Sequence, residues 1–268
     1  MKNFLCFLFA ALIFIFPVSA FAEDYNVGVL EQLNMNEDDY RKFVLDRRNS
    51  VGWDFLSHGD EKFIYYSSLV TMQMALNAGE INEIQLPEIV GEYFINSNPS
   101  AYTVACVSMV RPTYLAFGFL SSNTALRDRF NAALQTLREE GTLENLRLKY
   151  IENAHSEKIK FEKFDGAEKI RVALTGDLPP IDFVEADGTP AGYNVAIISE
   201  IAKKMKVNIE ILNVESGSRS ANLASKRADA VFWYKVTRDL ENQPDVPENV
   251  ILSEPYYEWN KFLHVKRK

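Results

Sequence analysis

The stretch from Ile170 to Tyr234 constrains the fold more than any other part of the chain, because strand and helix patterns alternate along it. Three runs have the length and apolar content of buried strands: Ile170–Leu174, Asn208–Leu212 and Asp229–Trp233. Between them, Asn194–Met205 carries apolar residues at helical spacing, and Arg219–Lys226 is a second, shorter helix pattern. This β-α-β-α-β order predicts a parallel sheet, whose strands present a ligand site at their carboxyl ends.

The segment after the first of these strands, Thr175–Asp182, is rich in Gly, Asp and Pro and predicts a turn. A short hairpin follows, with Asp187-Gly188 at its tip. Asp177 and Asp182 flank the Pro179-Pro180 pair at the expected ligand edge, so we consider both as ligand contacts. Aspartate is also common in turns for purely local reasons, and this alternative stays open for both residues.

The beginning of the chain predicts a targeting segment at residues 1–22. Lys2 supplies a positive charge, Phe4–Phe16 an apolar core, and Ala20-Phe21-Ala22 a small-x-small cleavage site. The apolar run is short for a membrane span, and no lipid-attachment motif precedes Cys6. We therefore expect a cleaved signal peptide, a periplasmic or secreted protein, and no membrane insertion after cleavage.

Charge and cysteine content exclude several kinds of protein. The formal net charge is −8, which argues against binding to nucleic acid or to an anionic membrane. Of the two cysteines, only Cys106 lies outside the targeting segment, so no intramolecular disulfide is expected. Its apolar surroundings, Tyr102–Val110, predict a buried core thiol. The three histidines do not have metal-ligand spacing, and no catalytic residue, metal site or cofactor is expected.

The first half of the chain predicts a second α/β unit. Strands are expected at 63–66, 81–85, 102–110 and 114–120, and a strand with its following loop at 25–33. Helices are expected at 36–48 and 87–95, and a third begins after Ser67 or Ser68 and ends at Gly79. Asn26–Leu30 parallels Lys169–Ala173, and Met74–Asn82 parallels Ala221–Asp229, at similar offsets. The repeated order of elements indicates two units of similar plan.

The stretch described first resembles the first lobe of the family 3 extracellular solute-binding proteins, which have the type II periplasmic binding fold. The resemblance lies in the Pro179-Pro180 turn, Asp187-Gly188-x-x-x-Gly192-Tyr193-Asn194, Ser225–Ala230 and Ser253-Glu254-Pro255-Tyr256-Tyr257. Earlier segments resemble the second lobe and the closing helices of that family: Val27–Leu30, Ala75–Asn82, Leu126–Leu134, Glu139–Leu143 and Tyr150-Ile151.

These elements stand in a rotated order, since second-lobe elements come first and the first lobe comes last. We therefore predict a circularly permuted, two-lobed α/β fold with a cleft between the lobes. After the segment 1–22, residues 23–110 would form the smaller lobe and residues 111–268 the larger one. Residues 152–168 would link the old chain ends, and Met109–Thr113 would cross the hinge beside Lys261–Lys266. Two partial copies of an unpermuted domain are the alternative.

The resemblance implies that ligand contacts come from an aromatic residue at the Pro-Pro turn, an arginine after the third strand and a carboxylate in the other lobe. An arginine binds a carboxylate group bidentately, and exposed helix N–H groups attract anions. The candidate ligand contacts are Asp177, Asp182, Phe183, Arg219, Trp233, Tyr234, Arg238, Asn34, Asn36 and Glu88. Arg238 is the arginine nearest to the third strand, and Arg219 is a candidate because a cation at a helix start opposes the helix dipole. By strand alternation, one of Trp233 and Tyr234 should face the cleft, and we favour Trp233.

The function implied by this resemblance is the capture of a small polar solute, either amino-acid-like or a related organic acid. The implied partner is the membrane permease of an ABC-type importer, with no nucleic acid involved. Two alternatives remain: a periplasmic, dehydratase-like enzyme on the same fold, and a ligand-sensing or scaffold module without a transport role. Stabilisation by a solute without turnover would distinguish the binding protein from both.

Overall fold

The structure is a computed structural model that describes residues 25–31, 61–153, 158–236 and 246–268. The expected signal peptide, the expected helix at 36–48 and the candidates Asn34, Asn36 and Arg238 lie outside these residues. Most of the described chain forms one nine-stranded mixed sheet with helices packed against it, and a separate three-stranded sheet lies beside it. The mixed α/β class expected from the sequence is confirmed.

The strands are β1 (Tyr25–Leu30), β2 (Glu61–Tyr66), β3 (Glu83–Pro87), β4 (Tyr102–Leu120), β5 (Lys169–Leu174), β6 (Asp177–Leu178), β7 (Asp182–Val184), β8 (Pro190–Ala191), β9 (Asn208–Asn213), β10 (Ala230–Val236), β11 (Val250–Leu252) and β12 (Tyr257–Arg267). The helices are α1 (Leu69–Ala78), α2 (Glu88–Ser97), α3 (Thr124–Glu139), α4 (Thr142–Arg147), α5 (Tyr193–Met205) and α6 (Arg219–Ala224). A π turn (Leu148–Glu152) continues α4, and a 3-10 turn (Ser216–Ser218) precedes α6.

Two parallel groups of strands have the same internal order. The large sheet runs β2-β1-β3-β12-β4-β10-β5-β9, and β11 pairs with β4. In each group the strand that comes first in the chain lies at the centre: β1 lies between β2 and β3, and β5 lies between β9 and β10. This common plan agrees with the repeat of element order that the sequence indicated.

Two long antiparallel strands connect these groups. The Phe262–Val265 part of β12 pairs with β3, while the Tyr114–Gly118 part of β4 pairs with β10. The two strands pair with each other, Met109 opposite Lys261 and Thr113 opposite Trp259, with an irregularity between the two pairs. The segment expected to cross between the units, Met109–Thr113, therefore lies beside β12. The sequence indicated two strands at 102–110 and 114–120, and this was wrong, because they form one strand.

Local sequence signals explain several element ends. Ser68 accepts a hydrogen bond from Thr71 N at the start of α1, and Gly79 ends that helix with a positive φ of 79°, as expected. The strand expected at 81–85 begins two residues later, at Glu83. Asp187-Gly188 lies between β7 and β8, which pair antiparallel, so the expected hairpin is confirmed.

The core around the second group is aromatic and aliphatic. Helix α5 buries Val195, Ile198 and Ile201 completely, as its periodicity predicted. The ring of Phe117 on β4 contacts the rings of Phe130, Phe232 and Tyr256 at centroid distances of 5.4, 5.0 and 4.9 Å. Each fully buried side chain of this size contributes about 1.5–3 kcal/mol to stability. This packing holds β5 and β10 in place, and their carboxyl ends carry most of the candidate site.

Candidate functional site

The candidate site lies where the parallel strands of the second group end. The Thr175–Asp177 segment follows β5, and Trp233 and Tyr234 lie in the carboxyl half of β10. Helix α1, which begins just after the carboxyl end of β2 in the other group, lies against β6. The structure therefore brings the expected ligand edge of one group next to helix α1 of the other.

Asp182 is the most deeply buried of the candidates whose burial the structure describes, with no exposed surface. Its Oδ1 accepts hydrogen bonds from Gly176 N at 3.1 Å and Thr175 Oγ1 at 3.3 Å, and its Oδ2 accepts one from Asn194 Nδ2 at 3.1 Å. Asn194 Oδ1 in turn accepts a hydrogen bond from the Tyr256 hydroxyl at 2.8 Å. Through these bonds Asp182 has a structural role, because it fixes the turn after β5 from the buried side of that turn.

Burial raises the pKa of the Asp182 carboxyl to about 7, and the nearby Asp177 acts in the same direction. The hydrogen bonds from Asn194, Gly176 and Thr175 oppose this shift because they favour the ionised form. Burial therefore outweighs three hydrogen bonds at this carboxyl group. The protonated form of Asp182 therefore persists to a higher pH than that of an exposed aspartate.

Asp177 and Phe183 face each other across the small sheet as a register pair of β6 and β7. Both are half-buried, so both retain surface at the edge of the turn. The Pro179-Pro180 bond between them is cis. Of the two aspartates that flank this pair, Asp177 is thus the one with surface near the expected ligand edge.

Arg219 begins helix α6 and is half-buried. Its Nη1 donates a hydrogen bond to the carbonyl oxygen of Phe232 at 3.4 Å, which places the guanidinium beside the carboxyl half of β10. The backbone of Trp233, the next residue, pairs with Ala116 on β4, and the register shifts after Trp233. The structure thus brings together Arg219 and the strand end that carries Trp233 and Tyr234.

Glu88, the candidate carboxylate of the first group, is the first residue of α2 and bonds across to β12. Its Oε1 accepts a hydrogen bond from Lys261 Nζ at 2.9 Å, and both side chains are part-exposed. Glu88 therefore connects the first group to the strand that crosses between the groups.

Two residues near the crossing were missed by sequence reasoning. Lys261 is the partner of Glu88, and Trp259 is buried with an indole N–H that lacks a hydrogen-bond acceptor among the described residues. Trp259 lies opposite Thr113, where β4 and β12 cross between the groups. The Ser253–Tyr257 motif stands just before both residues, but no sequence signal shows where each side chain points.

The structure also corrects the prediction for Cys106, which is half-buried and not part of the core. Its thiol lies close to the side chains of Glu83 and His264. Sequence reasoning found no histidine near Cys106, because His264 comes from the far end of the chain. This group lies outside the candidate site.

Comparisons with known proteins agree with this description over the second half of the chain. Residues 170–268 match the family model for bacterial extracellular solute-binding proteins, family 3. A search of curated protein sequences found no match. No helix among the described ranges has the length and apolarity needed to cross a membrane.

Solved structures of low sequence identity resemble the chain. The substrate-binding domain of a putative molybdenum ABC transporter from Clostridium difficile is 11% identical, with 91% of this chain and 84% of that chain covered and a TM-score of 0.46. The GluR0 ligand-binding core from Nostoc punctiforme in complex with L-glutamate is 10% identical, with coverage of 89% and 84% and a TM-score of 0.39.

The ligand-binding component of an ABC-type import system from Staphylococcus aureus is 7% identical, with a TM-score of 0.44. The match covers 91% of this chain but only 65% of that one. The residues matched by the family model run from β5 to the end of β12 and include most of the candidate site. The resemblance seen in the sequence is therefore confirmed over residues 170–268, which match family 3 of the bacterial extracellular solute-binding proteins.

Proposed function

We propose that this protein binds a small polar solute, amino-acid-like or a related organic acid, between its two groups of parallel strands. The family match over residues 170–268 is the observation that carries this proposal. The position of the candidate residues supports it: Asp177 follows β5, Trp233 lies in the carboxyl half of β10, and Arg219 bonds to the residue before Trp233. The carboxyl ends of parallel strands are where α/β sheets bind ligands. The start of α1 on the other side would supply N–H groups to an anionic part of the solute.

Arg219 is the residue to which we assign the carboxylate of the solute. Its guanidinium lies beside the carboxyl half of β10, and the planar group carries five N–H donors in a fork that matches the two oxygens of a carboxylate. Trp233 supplies the apolar platform next to it, and Asp177 is the acceptor for a solute ammonium or hydroxyl group. Arg238, Asn34 and Asn36 remain in this proposal as further contacts.

The first test is a screen of the purified protein by thermal shift with amino acids, small peptides and organic acids. The proposed function requires saturable stabilisation by at least one solute, without chemical change of that solute. Formation of a product would instead favour a periplasmic enzyme. The absence of any response to a broad set would favour a scaffold module.

Replacing Arg219 with alanine should weaken binding of the stabilising solute about tenfold to a hundredfold, because a hydrogen bond to a charged group contributes about 1.5–3 kcal/mol. Isothermal titration calorimetry measures the change. Arg129→Ala is the matched control, since Arg129 pairs with Glu168 on the exposed surface away from the site. An Arg219→Ala protein that binds as tightly as the Arg129→Ala control would show that the carboxylate is held elsewhere.

We further propose that the protein delivers this solute to the permease of an ABC-type importer from the periplasm or the cell exterior, after removal of residues 1–22. Residues 23–110 would be the smaller lobe and residues 111–268 the larger lobe of a circularly permuted binding protein. The larger lobe would include α3 and α4, whose packing against α5 fits the role of closing helices. The position of the family match, at the end of the chain and not at its beginning, favours this order.

Proximity of the two ends of the described chain supports the permutation. Glu83 accepts a hydrogen bond from the Tyr25 hydroxyl, at the start of β1, and pairs with His264, near the end of β12. In the unpermuted order, β12 would run on into β1, and a short linker could make this connection.

A reordered gene tests the permutation. The reordered protein would begin at Lys158, continue to Lys268, pass through a short Gly-Ser linker into Tyr25 and end at Asn153. We expect it to fold and to bind the same solute within about threefold of the parent affinity, since permutation keeps the contacts when the joined ends are close. A control that opens the chain inside β4 should not fold. Failure of the first protein to fold would contradict the permuted arrangement.

A further inference from the structure

Three strands of the large sheet bring a histidine, a glutamate and a cysteine together on one face. His264 on β12 lies opposite Gln85 on β3 and opposite Cys106 on β4. Glu83 stands two residues before Gln85, and alternate residues of a strand share a face. One ligand atom from each of Glu83, Cys106 and His264 lies within 4.8 Å of the other two.

Hydrogen bonds orient the imidazole within this group. His264 Nδ1 lies 2.5 Å from Glu83 Oε1, and Glu83 Oε2 accepts a hydrogen bond from the Tyr25 hydroxyl at 2.9 Å. On the other side of the ring, His264 Nε2 lies 3.0 Å from Ser108 Oγ and 3.4 Å from Gln85 Nε2. Both ring nitrogens therefore face polar groups, so the imidazole is fixed in place by its surroundings.

Burial makes this group costly unless its polar atoms are satisfied. Glu83, Gln85 and His264 are 2, 3 and 6% exposed. Gln85 Oε1 is a buried acceptor without a hydrogen-bond donor among the described residues, although its amide lies directly against the histidine. A buried acceptor without a donor destabilises the folded state. A half turn of the amide would direct this oxygen towards His264 Nε2.

We propose that Glu83, Cys106 and His264 bind one divalent transition-metal ion of the zinc type. A thiolate, an imidazole nitrogen and a carboxylate oxygen are the donors that zinc uses in proteins, and a water molecule would take the fourth position. Gln85 Oε1 would instead accept the Nε2 proton of His264, which leaves Nδ1 to bind the ion. Cys106 is half-buried, so the group retains some contact with solvent. The ion would replace the proton held between Glu83 and His264, and these two ligand atoms would separate to about 3 Å to fit the bond lengths of zinc.

This metal site is distinct from the proposed solute site. Glu83 begins β3, whose other end, Pro87, leads to Glu88 at the crossing between the groups. The ion would join β3, β12 and β4 side by side, and one of these strands comes from the end of the chain. The role of the ion is therefore structural, because metal binding would stabilise the pairing of β12 with the first group, independently of any solute.

Cobalt(II) and zinc(II) are the probes for this site. The full mature protein, freed of metal with a chelator, should bind one Co²⁺ with a thiolate-to-metal charge-transfer band and the intense d–d absorption of four-coordinate cobalt. One equivalent of Zn²⁺ should displace it. Zinc at a hundredfold excess over its Kd should raise the Tm by roughly 5 °C or more.

Two variants and one control make the test specific. Cys106→Ser should abolish the charge-transfer band, and His264→Gln should weaken zinc binding at least a hundredfold. Val107→Ala changes an exposed side chain on the opposite face of β4 and should bind as the parent does. Circular dichroism checks that each variant is folded. A cobalt spectrum without thiolate character would contradict the metal site. Zinc binding of the parent no tighter than that of Cys106→Ser would also contradict it, and the group would then be a hydrogen-bonded polar cluster only.

Discussion

Replacement of Gly192 by alanine is expected to lower the free energy of unfolding by about 3 kcal/mol or more. Gly192 has φ 102° and ψ 178°, a conformation that residues with a Cβ essentially never adopt. A Cβ at this position would also lie 2.7 Å from the carbonyl oxygen of Ile181 and 2.9 Å from that of Pro180. Both neighbours are backbone atoms, so a side-chain rotation cannot relieve the contact.

The position of Gly192 explains why the chain uses this conformation. Tyr193 N donates to Pro180 O at 3.0 Å and Asn194 N donates to Ile181 O at 2.8 Å, so the start of α5 is attached directly to the Pro-Pro turn. An added methyl group would push the helix away from the turn and weaken these bonds. The damage would reach Asn194, which contacts Asp182.

Urea denaturation measures the loss, with Gly188→Ala as the matched control. Gly188 also has a positive φ, 83°, but a Cβ there would meet no atom within 4 Å. The control should therefore cost only about 1 kcal/mol, the ordinary penalty for a positive φ. Equal losses in the two variants would show that the close approach to Pro180 and Ile181 adds nothing.

The second large effect concerns the pH dependence of stability and the carboxyl group of Asp182. Its pKa is about 7 in the folded protein and 3.8 as the reference for an unfolded chain. Between these values the folded state binds the extra proton, so the free energy of unfolding falls as pH rises from about 4 to 7. Below this window both states are protonated, and above it both are ionised, so the contribution is constant there.

Asp182→Asn should remove this component of the pH dependence. One pKa unit corresponds to about 1.4 kcal/mol, so between pH 4.5 and 7.5 the variant should gain about 3 kcal/mol relative to the parent. Chemical denaturation at the two pH values gives the difference. Asp177→Asn, at the half-buried neighbour, is the control and should show a much smaller relative change. A variant whose stability follows the pH slope of the parent would contradict the buried-carboxyl explanation.

Local patterns predicted much of the second half of the chain. The strands β5, β9 and β10, the helix α5 and the hairpin at Asp187-Gly188 stand within a few residues of their expected places. Apolar periodicity and turn signals involve residues that are close in the chain, so they can be recognised from the sequence. Where two long-range partners decide the outcome, the prediction was wrong: residues 102–120 form one strand because β12 and β10 pair along its successive parts.

The sequence predicted that several candidate residues lie near one edge of the sheet, but not where each side chain lies. The carboxyl ends of parallel strands and the family motifs point to Asp177, Arg219 and Trp233. The same reasoning selected Asp182, which the structure buries behind the turn, and Glu88, which it pairs with Lys261. Side-chain direction depends on which neighbouring element covers a residue, and that information is not contained in a turn motif.

By itself, the sequence determined the α/β class, the repeated plan of two strand groups and the edge of the sheet near which most candidate residues lie, because each follows from local spacing and from motifs of one family. Only the tertiary structure decided that β4 and β12 run together between the groups. Only that pairing brings His264 beside Glu83 and Cys106, residues far apart in the chain. Strand register between distant segments is set by the burial of whole faces of the sheet, which no short stretch of sequence records.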